Sequence, residues 1–458
     1  MPAEWDIISA FILQPSSLVS IVGGGGKTTL LFALAHAWPG RVVTTTTTRI
    51  FTAQMKLSPE VVFFTAKDAK NAKKKNFAPF AVHLSAALDR FGECLVVGEV
   101  AGEKAHGVPP ALPGHLLARP DVDLVLVEAD GSRMRPIKAP ADHEPVIPPE
   151  TTLVVPVVGI DALDGRLVDV AHRPERVASI INYQLSINNY QLTPADVAAL
   201  LTHPEGGLKG APPGARVIPF INKVETPSQL GAARQIARRA LHASRIAHVV
   251  IGAVKTERPI REVHRRVTAV VLAAGQSRRM GRPKQLLPWG ETTVLGQTLR
   301  HVRAAAVHDT LVITGHEAEA VAAIAAAHKC RVVHNPDYAA GEMLSSLQTA
   351  VRQLPENCAA VLVMLADQPM IEPGTIDHLL EAYWGGQGEL IAPVYGGRRG
   401  NPVLIGRPYF EELLVLPPGD APRTLLRRHA DELHLVPVES DSILRDLDRP
   451  EAYERWRP

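Results

Sequence analysis

The 458-residue chain lacks most of the features that would place it in a class at once. Cysteine is scarce, and Cys94, Cys330 and Cys358 stand far apart. That spacing offers neither a disulfide framework nor a metal-ligand cluster, and it suits a reducing compartment. Charge of one sign is not in excess. With 49 Lys and Arg against 47 Asp and Glu, the net charge is +2, too mild to argue for nucleic acid. The one lysine-rich run, Lys67 to Lys75, reads as a solvated helix face or loop. No apolar run approaches the roughly 18 residues that cross a bilayer. No basic segment followed by an apolar core and cleavage site opens the chain. The expectation is a cytoplasmic protein with no membrane and no nucleic-acid partner.

What is present is ordinary globular composition around two glycine-rich loops. Hydrophobic residues make up 46% and charged residues 21%, enough to fill the cores of two or three domains. In the first half, Leu18–Val22 reads as a strand. Gly23-Gly24-Gly25-Gly26-Lys27-Thr28-Thr29 and an apolar helical pattern, Leu30 to Ala37, follow it. Further strands are expected at Arg41–Val43, running into Thr44–Thr48, at Leu95–Val97, at Asp123–Asp130, at Leu153–Val155 and at Val217–Ile221. Strands alternating with helical patterns predict a parallel α/β sheet. A short repeat, Asn182-Tyr183-Gln184-Leu185 and Asn189-Tyr190-Gln191-Leu192, reads as a local duplication in a surface helix or loop.

The chain turns polar around Thr256 to Arg266, with Pro259 inside, and the domain boundary is placed there: residues 1–260 and 268–458. A second α/β alternation begins at Thr268. Strands are expected at Thr310–Ile313, Arg331–His334, Ala359–Leu365, Glu389–Val394 and His434–Val438, with a helix over Ala318–His328. Its first strand runs into Leu272-Ala273-Ala274-Gly275-Gln276-Ser277-Arg278-Arg279-Met280-Gly281-Arg282-Pro283-Lys284. Glycines let backbone N–H groups approach an anion, and Arg279 and Lys284 add charge, so this loop suits a polyphosphate. The order Gly-Gln-Ser-Arg-Arg-Met-Gly departs from G-x-G-x-x-G and disfavours a nicotinamide site. Asp367 follows a buried strand, where an acid can hold Mg²⁺, or it forms a turn before Pro369. Asp446 and Asp448 alternate along an extended segment, so one of the two is expected to face the metal; Asp448 is alternatively a helix N-cap ahead of Pro450.

The first loop, Gly23-x-x-Gly26-Lys27-Thr28-Thr29, is a shortened phosphate loop in form. Lys27 would reach phosphate oxygens and Thr28 a Mg²⁺; Glu128 and Asp130 either hold the metal or a water or are surface carboxylates at a strand end. Asn222-Lys223-Val224-Glu225 resembles the base-reading Asn-Lys-x-Asp of GTPases, with Glu in place of Asp.

The second-half blocks stand in order: Leu272–Pro288, Asn335-Pro336, Gly341-Glu342-Met343-Leu344-Ser345-Ser346-Leu347, Leu365-Ala366-Asp367-Gln368-Pro369-Met370, Arg399-Gly400-Asn401-Pro402-Val403 and Asp446–Glu451. Together they resemble the molybdenum cofactor cytidylyltransferase family, within the MobA-like nucleotidyltransferases. The resemblance implies a Rossmann-like nucleotidyltransferase domain that joins CTP to molybdopterin with Mg²⁺ and releases pyrophosphate. It implies nucleotide contacts from Leu272, Ala273, Ala274, Gly275, Ser277 and Gly281. Arg279 and Lys284 would act on the triphosphate, and Asp367 and Asp448 would hold the metal. Ala273-Ala274-Gly275 is similar to the cytidylyl enzymes; guanylyl relatives tend to carry Ala-Gly-Gly, so GTP is the alternative. Ser345 and Ser346 either contact substrate or cap a helix. Asn401 stands where the family often has His.

In the first half Gly23–Thr29, Thr44–Thr48, Glu128–Arg133, Lys138-Ala139-Pro140, His143–Pro148 and Asn222–Glu225 resemble the YqeC family, accessory proteins of selenium-dependent molybdenum hydroxylases. The resemblance implies a nucleotide-dependent maturation step; the residues themselves point to a P-loop-like domain binding a nucleotide, ATP or GTP, through Gly23, Gly26, Lys27, Thr28, Thr29, Asn222 and Lys223. It also implies an apo molybdenum hydroxylase as partner. His143 is either catalytic or structural. A nucleotide-switched cofactor carrier and a sugar-nucleotide transferase are the other functions weighed.

Overall fold

A computed structural model describes residues 5–65, 68, 78–339 and 342–458. The lysines of the Lys67–Lys75 run and Gly341 lie outside the described residues. The chain divides into two compact units, Trp5–His264 and Arg265–Pro458. Among the described residues no helix is long and apolar enough to cross a membrane.

The first unit is built on a ten-stranded sheet. Its strands are β1 (Ser17–Gly23), β2 (Val42–Thr46), β3 (Val61–Phe63), β4 (Glu93–Val97), β5 (Leu124–Glu128), β6 (Leu153–Gly159), β7 (Phe220–Asn222), β8 (Val249–Gly252) and β9 (Ile260–His264), with Arg216–Val217 pairing β6. The order is β9-β8-β7-β6-β1-β5-β2-β4-β3. All neighbours on this path are parallel except the edge strand β9, which runs antiparallel to β8. The strands read as unbroken apolar runs because both faces are covered. In β1, Leu18 and Val22 join one core layer while Val19 and Ile21 join the other.

Two local expectations are corrected. The run Val217–Ile221 is two strands, because Pro219 has no N–H to donate to a ladder. Ile260–His264, inside the polar stretch, is a strand whose alternate residues Ile260 and Val263 still reach the core. The short repeat folds so that Tyr183 and Tyr190 stack with ring centroids 3.8 Å apart.

The second unit holds an eight-stranded mixed sheet. Its strands are β10 (Val267–Leu272), β11 (Asp309–Thr314), β12 (Arg331–His334), β13 (Ala360–Leu365), β14 (Leu390–Tyr395), β15 (Arg398–Arg399), β16 (Val403–Gly406) and β17 (Leu433–Pro437). The order is β12-β11-β10-β13-β16-β14-β15, with β17 beside β14. Strands β10 to β13 are parallel, and β16 reverses against β13. Again the strands separate two core layers: Val271 faces one and Val270 the other. The first strand of each unit, β1 and β10, lies inside its sheet and ends in a glycine-bearing loop, the position where α/β sheets receive ligands.

Candidate active site

In the second unit the loop after β10 is anchored at its root and free at its tip. The Leu272 carbonyl accepts the Ala366 N–H, the Ala273 N–H donates to the Ile313 carbonyl, and the Ala274 carbonyl accepts the His316 N–H. These bonds tie the root to the ends of β11 and β13. From Gly275 to Arg279, no backbone N–H has a partner among the described residues. Ser277 sits at φ +51° and Gly281 at φ +68°, which curls the segment. A Cβ on Gly275 would meet nothing within 4 Å, so packing within the chain does not demand glycine there. A ligand approaching the backbone would demand it. Five successive unpaired N–H groups in a curled loop are available to an anion.

The curl is held from inside. The Ser277 hydroxyl accepts the Lys284 N–H at 3.1 Å and donates to the Gln285 side-chain oxygen at 3.2 Å. The Gln285 amide in turn donates to the Gly275 carbonyl. Gln285 is 3% exposed. In the sequence Gln285 belongs to the Leu272–Pro288 block without a role of its own; a polar residue beside the apolar Leu286 and Leu287 was the available signal.

Lys284 Nζ binds two carboxylates, Asp448 at 2.6 Å and Asp367. Arg279 pairs with the other oxygen of Asp448 at 3.1 Å. Burial works against the Lys284 charge, but Asp367 and Asp448 outweigh it and hold the ammonium above its ordinary range. Asp448 is also buried in part, yet the hydrogen bond and charge of Lys284, with Arg279, keep it below the usual carboxylate range. Asp446 moves the other way, raised by burial and by the charges of Asp448 and Asp367. The residues expected at the triphosphate and metal therefore do converge. Asp367 and Asp448 converge on the Lys284 ammonium.

Three details differ from expectation. Asp446 and Asp448 lie on no strand; they sit in coil between the short helical turn Asp441–Leu444 and helix Pro450–Trp456. The Leu447 N–H donates to the Asp367 carbonyl, and this pins the segment to the site. The N-cap of that helix is Arg449, not Asp448. Ser345 and Ser346 are interior to helix Glu342–Arg352 and accept from the buried Asn335 amide at 2.9 and 3.0 Å, so neither is a cap.

In the first unit the glycines of Gly23–Thr29 are demanded by packing. A Cβ on Gly23 would lie 2.4 Å from the Val157 carbonyl oxygen, and one on Gly25 would lie 2.0 Å from the Gly159 nitrogen. Gly23, Gly25 and Gly26 also have positive φ. The N–H groups of Gly24 and Gly25 are spent on the Val157 and Arg135 carbonyls. Those of Gly26, Lys27, Thr28 and Thr29, at the start of helix Lys27–Ala37, have no partner among the described residues. All four residues line a cavity of about 1110 Å³.

Lys27 is 3% exposed and donates to the Gly23 carbonyl at 2.7 Å, with Glu128 at 3.7 Å. The Thr28 hydroxyl donates to Glu128 at 2.7 Å. Burial pushes the Glu128 carboxyl up, against the charge of Lys27. Asp130 does not face the cavity. It is buried, accepts the Gly23 N–H, and pairs with Lys27 at 3.3 Å and Lys138 at 3.0 Å. It is a counter-ion of two lysines and lies outside the lining of this cavity. Asn222 braces loops: its amide donates to the Gly25 carbonyl and its oxygen accepts the N–H groups of Lys223 and Val254. Lys223 pairs with Asp161 at 2.6 Å.

The network continues through Lys138. Its buried ammonium reaches Glu144 at 2.8 Å, and Arg173 reaches the same carboxylate at 2.9 Å. Burial opposes ionisation of Glu144, but Lys138 first and then Arg173 hold its pKa down from 4.5 to about 2. His143 and His172 line the cavity too. Burial, then the charges of Arg173, Lys138 and Arg133, lowers His172 to about 4, so it is neutral at pH 7. Arg133, Met134, Arg173 and Lys223 all line the cavity with left-handed backbone. Each such residue costs roughly 1–2 kcal/mol, strain that gathers at functional sites.

Comparison with known proteins adds the following. Residues 269–433 match the family model described as MobA-like NTP transferase domain, and residues 19–175 match that of YqeC protein. The chain is 34% identical over 211 residues to the uncharacterized protein YqeC of Escherichia coli (strain K12), covering 45% of this chain and 76% of that one. It is 30% identical over 198 residues to nicotine blue oxidoreductase of Paenarthrobacter nicotinovorans, covering 41% and 95%. It is 27% identical over 190 residues to molybdenum cofactor cytidylyltransferase of Escherichia coli (strain K12), covering 41% and 93%.

Proposed function

The chain belongs to the YqeC family in its N-terminal half and, as a nucleotidyltransferase, to the MobA-like NTP transferase family in its C-terminal half; from this premise we propose that it is a molybdenum cofactor cytidylyltransferase. It transfers CMP from CTP to molybdopterin and releases pyrophosphate. The observation that carries the reading is the row of unpaired N–H groups from Gly275 to Arg279, next to Lys284, Asp367 and Asp448. The triphosphate lies on those N–H groups, with Arg279 and Lys284 meeting its charge. An oxygen of the molybdopterin phosphate forms a bond to the α-phosphorus. The bond from that phosphorus to the bridging oxygen breaks, and its electron pair leaves with pyrophosphate. The attacking phosphate is already ionised at neutral pH, so no side chain has to take a proton, and the chain's contribution is positioning and charge neutralisation.

Mg²⁺ suits the donor set: Asp367 and Asp448 are hard oxygen ligands already gathered around one cation, and a bound metal would neutralise charge on the phosphate oxygens. Lys284 is then free to exchange carboxylate for phosphate. Support for CTP comes from Ala273-Ala274 ahead of Gly275 and from the cytidylyltransferase relative.

The N-terminal half binds a nucleoside triphosphate, ATP or GTP, on the N–H groups of Gly26 to Thr29, with Thr28 and Glu128 as an oxygen pair suited to its Mg²⁺. Its proposed role is a nucleotide-dependent maturation step that serves a molybdenum hydroxylase.

The test measures pyrophosphate release from each nucleoside triphosphate, with and without molybdopterin, on the wild type and on Asp367→Ala. Release from CTP that needs molybdopterin and fails in Asp367→Ala is expected. Release from GTP instead would make the enzyme a guanylyltransferase, and no release from any triphosphate would refute the proposal.

A further inference from the structure

Strands β7 and β8 are parallel neighbours, with Phe220 opposite Val250 and Ile221 opposite Ile251. Their C-terminal ends therefore emerge side by side. Asn222, at the end of β7, binds the two loops that flank it: its amide donates to the Gly25 carbonyl at 2.9 Å, and its oxygen accepts the Val254 N–H at 3.1 Å. One buried side chain thus fixes the loop after β8 relative to the glycine-rich loop. The residues that follow, Lys223 and Glu225 on one side and Ala253 to Lys255 on the other, line the same cavity as Gly26–Thr29. A nucleotide whose phosphates lie on Gly26–Thr29 would extend its base towards them.

The polar groups left over at that end are specific. The Glu225 N–H is used by Gln229, but the Glu225 carboxylate is exposed and has no partner among the described residues. The Lys255 N–H has none either. Lys223 is held at φ +65° with its ammonium on Asp161, so its alkyl stem, not its charge, is available to a flat ring. An ionised carboxylate only accepts hydrogen bonds. Among the common bases, guanine alone presents two adjacent donors, N1–H and the 2-amino group, and beside them an acceptor, O6. Adenine and cytosine each offer one donor next to a lone pair, and uracil offers one donor between two carbonyls.

We infer that the N-terminal cavity selects guanine nucleotides, with the Glu225 carboxylate accepting from N1–H and the 2-amino group and the Lys255 N–H donating to O6. The inference rests on the proposed placement of phosphates at Gly26–Thr29. Two hydrogen bonds to a charged acceptor predict at least about a tenfold preference for GTP over ATP.

The experiment is equilibrium dialysis of the full chain with labelled GTP and labelled ATP, each with Mg²⁺. The component that Lys27→Ala abolishes is taken as the N-terminal site, which separates it from binding in the C-terminal half. The wild type is expected to prefer GTP in that component. Glu225→Ala should lose about tenfold or more for GTP and little for ATP. Glu225→Gln, which replaces one of the two acceptor oxygens with an NH2 donor, should also lose the preference. Equal or tighter ATP binding, or equal losses for both nucleotides in Glu225→Ala, would overturn the guanine assignment while the phosphate-loop reading stands. Absence of any Lys27-dependent binding would overturn both.

Discussion

Replacing Lys138 with methionine tests whether the buried charge network holds the N-terminal unit together. The substitution keeps the alkyl length and removes the ammonium from contact with Asp130 at 3.0 Å, Glu144 at 2.8 Å and the Gly131 carbonyl at 2.7 Å. Each acid keeps one cationic partner, Lys27 for Asp130 and Arg173 for Glu144. The loss should therefore fall near the low end of the range for breaking a buried pair, about 3 kcal/mol. The titration of Glu144 points the same way: Lys138 and Arg173 overcome burial and lower its pKa from 4.5 to about 2. The sign follows from a depressed carboxylate. Its stabilisation is complete above pH 4.5 and is lost as the pH falls towards 2. In Lys138→Met the Glu144 pKa moves back up, so acid unfolding begins at higher pH. Urea unfolding followed by peptide-resolved hydrogen exchange on β1 and β5 reports this unit alone. A loss below about 1 kcal/mol, or an unchanged acid limb, would refute the network as a source of stability.

Other outcomes follow from the two loops. Gly275→Ala should leave stability unchanged, since its Cβ meets nothing, yet weaken triphosphate binding; Gly25→Ala, 2.0 Å from the Gly159 nitrogen, should destabilise the N-terminal unit outright, as thermal unfolding would report. Gln285→Ala removes the brace on Ser277 and Gly275 and should lower kcat/KM about tenfold or more for pyrophosphate release, with circular dichroism unchanged. Asp448→Asn weakens the hold on Lys284 and Arg279 and removes a metal ligand, so the Mg²⁺ concentration for half-maximal activity should rise; no rise would remove Asp448 from the metal.

Much of the architecture was legible in the chain. Unbroken apolar runs such as Leu124–Val127 signal strands covered on both faces, because the sheet alternates its side chains between two core layers. Both glycine-rich loops were legible for the same local reason: a strand that ends in glycine beside Lys, Ser or Thr exposes N–H groups. The two loops nevertheless differ in kind. At Gly23 and Gly25 the glycines make room for neighbouring strands, whereas at Gly275 the room is open. Spacing cannot separate these cases, since the neighbours are remote in sequence.

The chain by itself determined the α/β alternation and the positions of two glycine-rich loops, since these follow from side-chain alternation and backbone freedom within a few residues. Tertiary structure decided which charges act. Glu128 and Asp130, two apart, would share a face on a continuing strand, but β5 ends at Glu128 and the chain turns Asp130 inward to Lys27 and Lys138. Asp448 meets Lys284 across 164 residues, and only because Leu447 docks on the backbone of Asp367. Charge interaction depends on distance and burial, and neither is set until the sheets have closed around it.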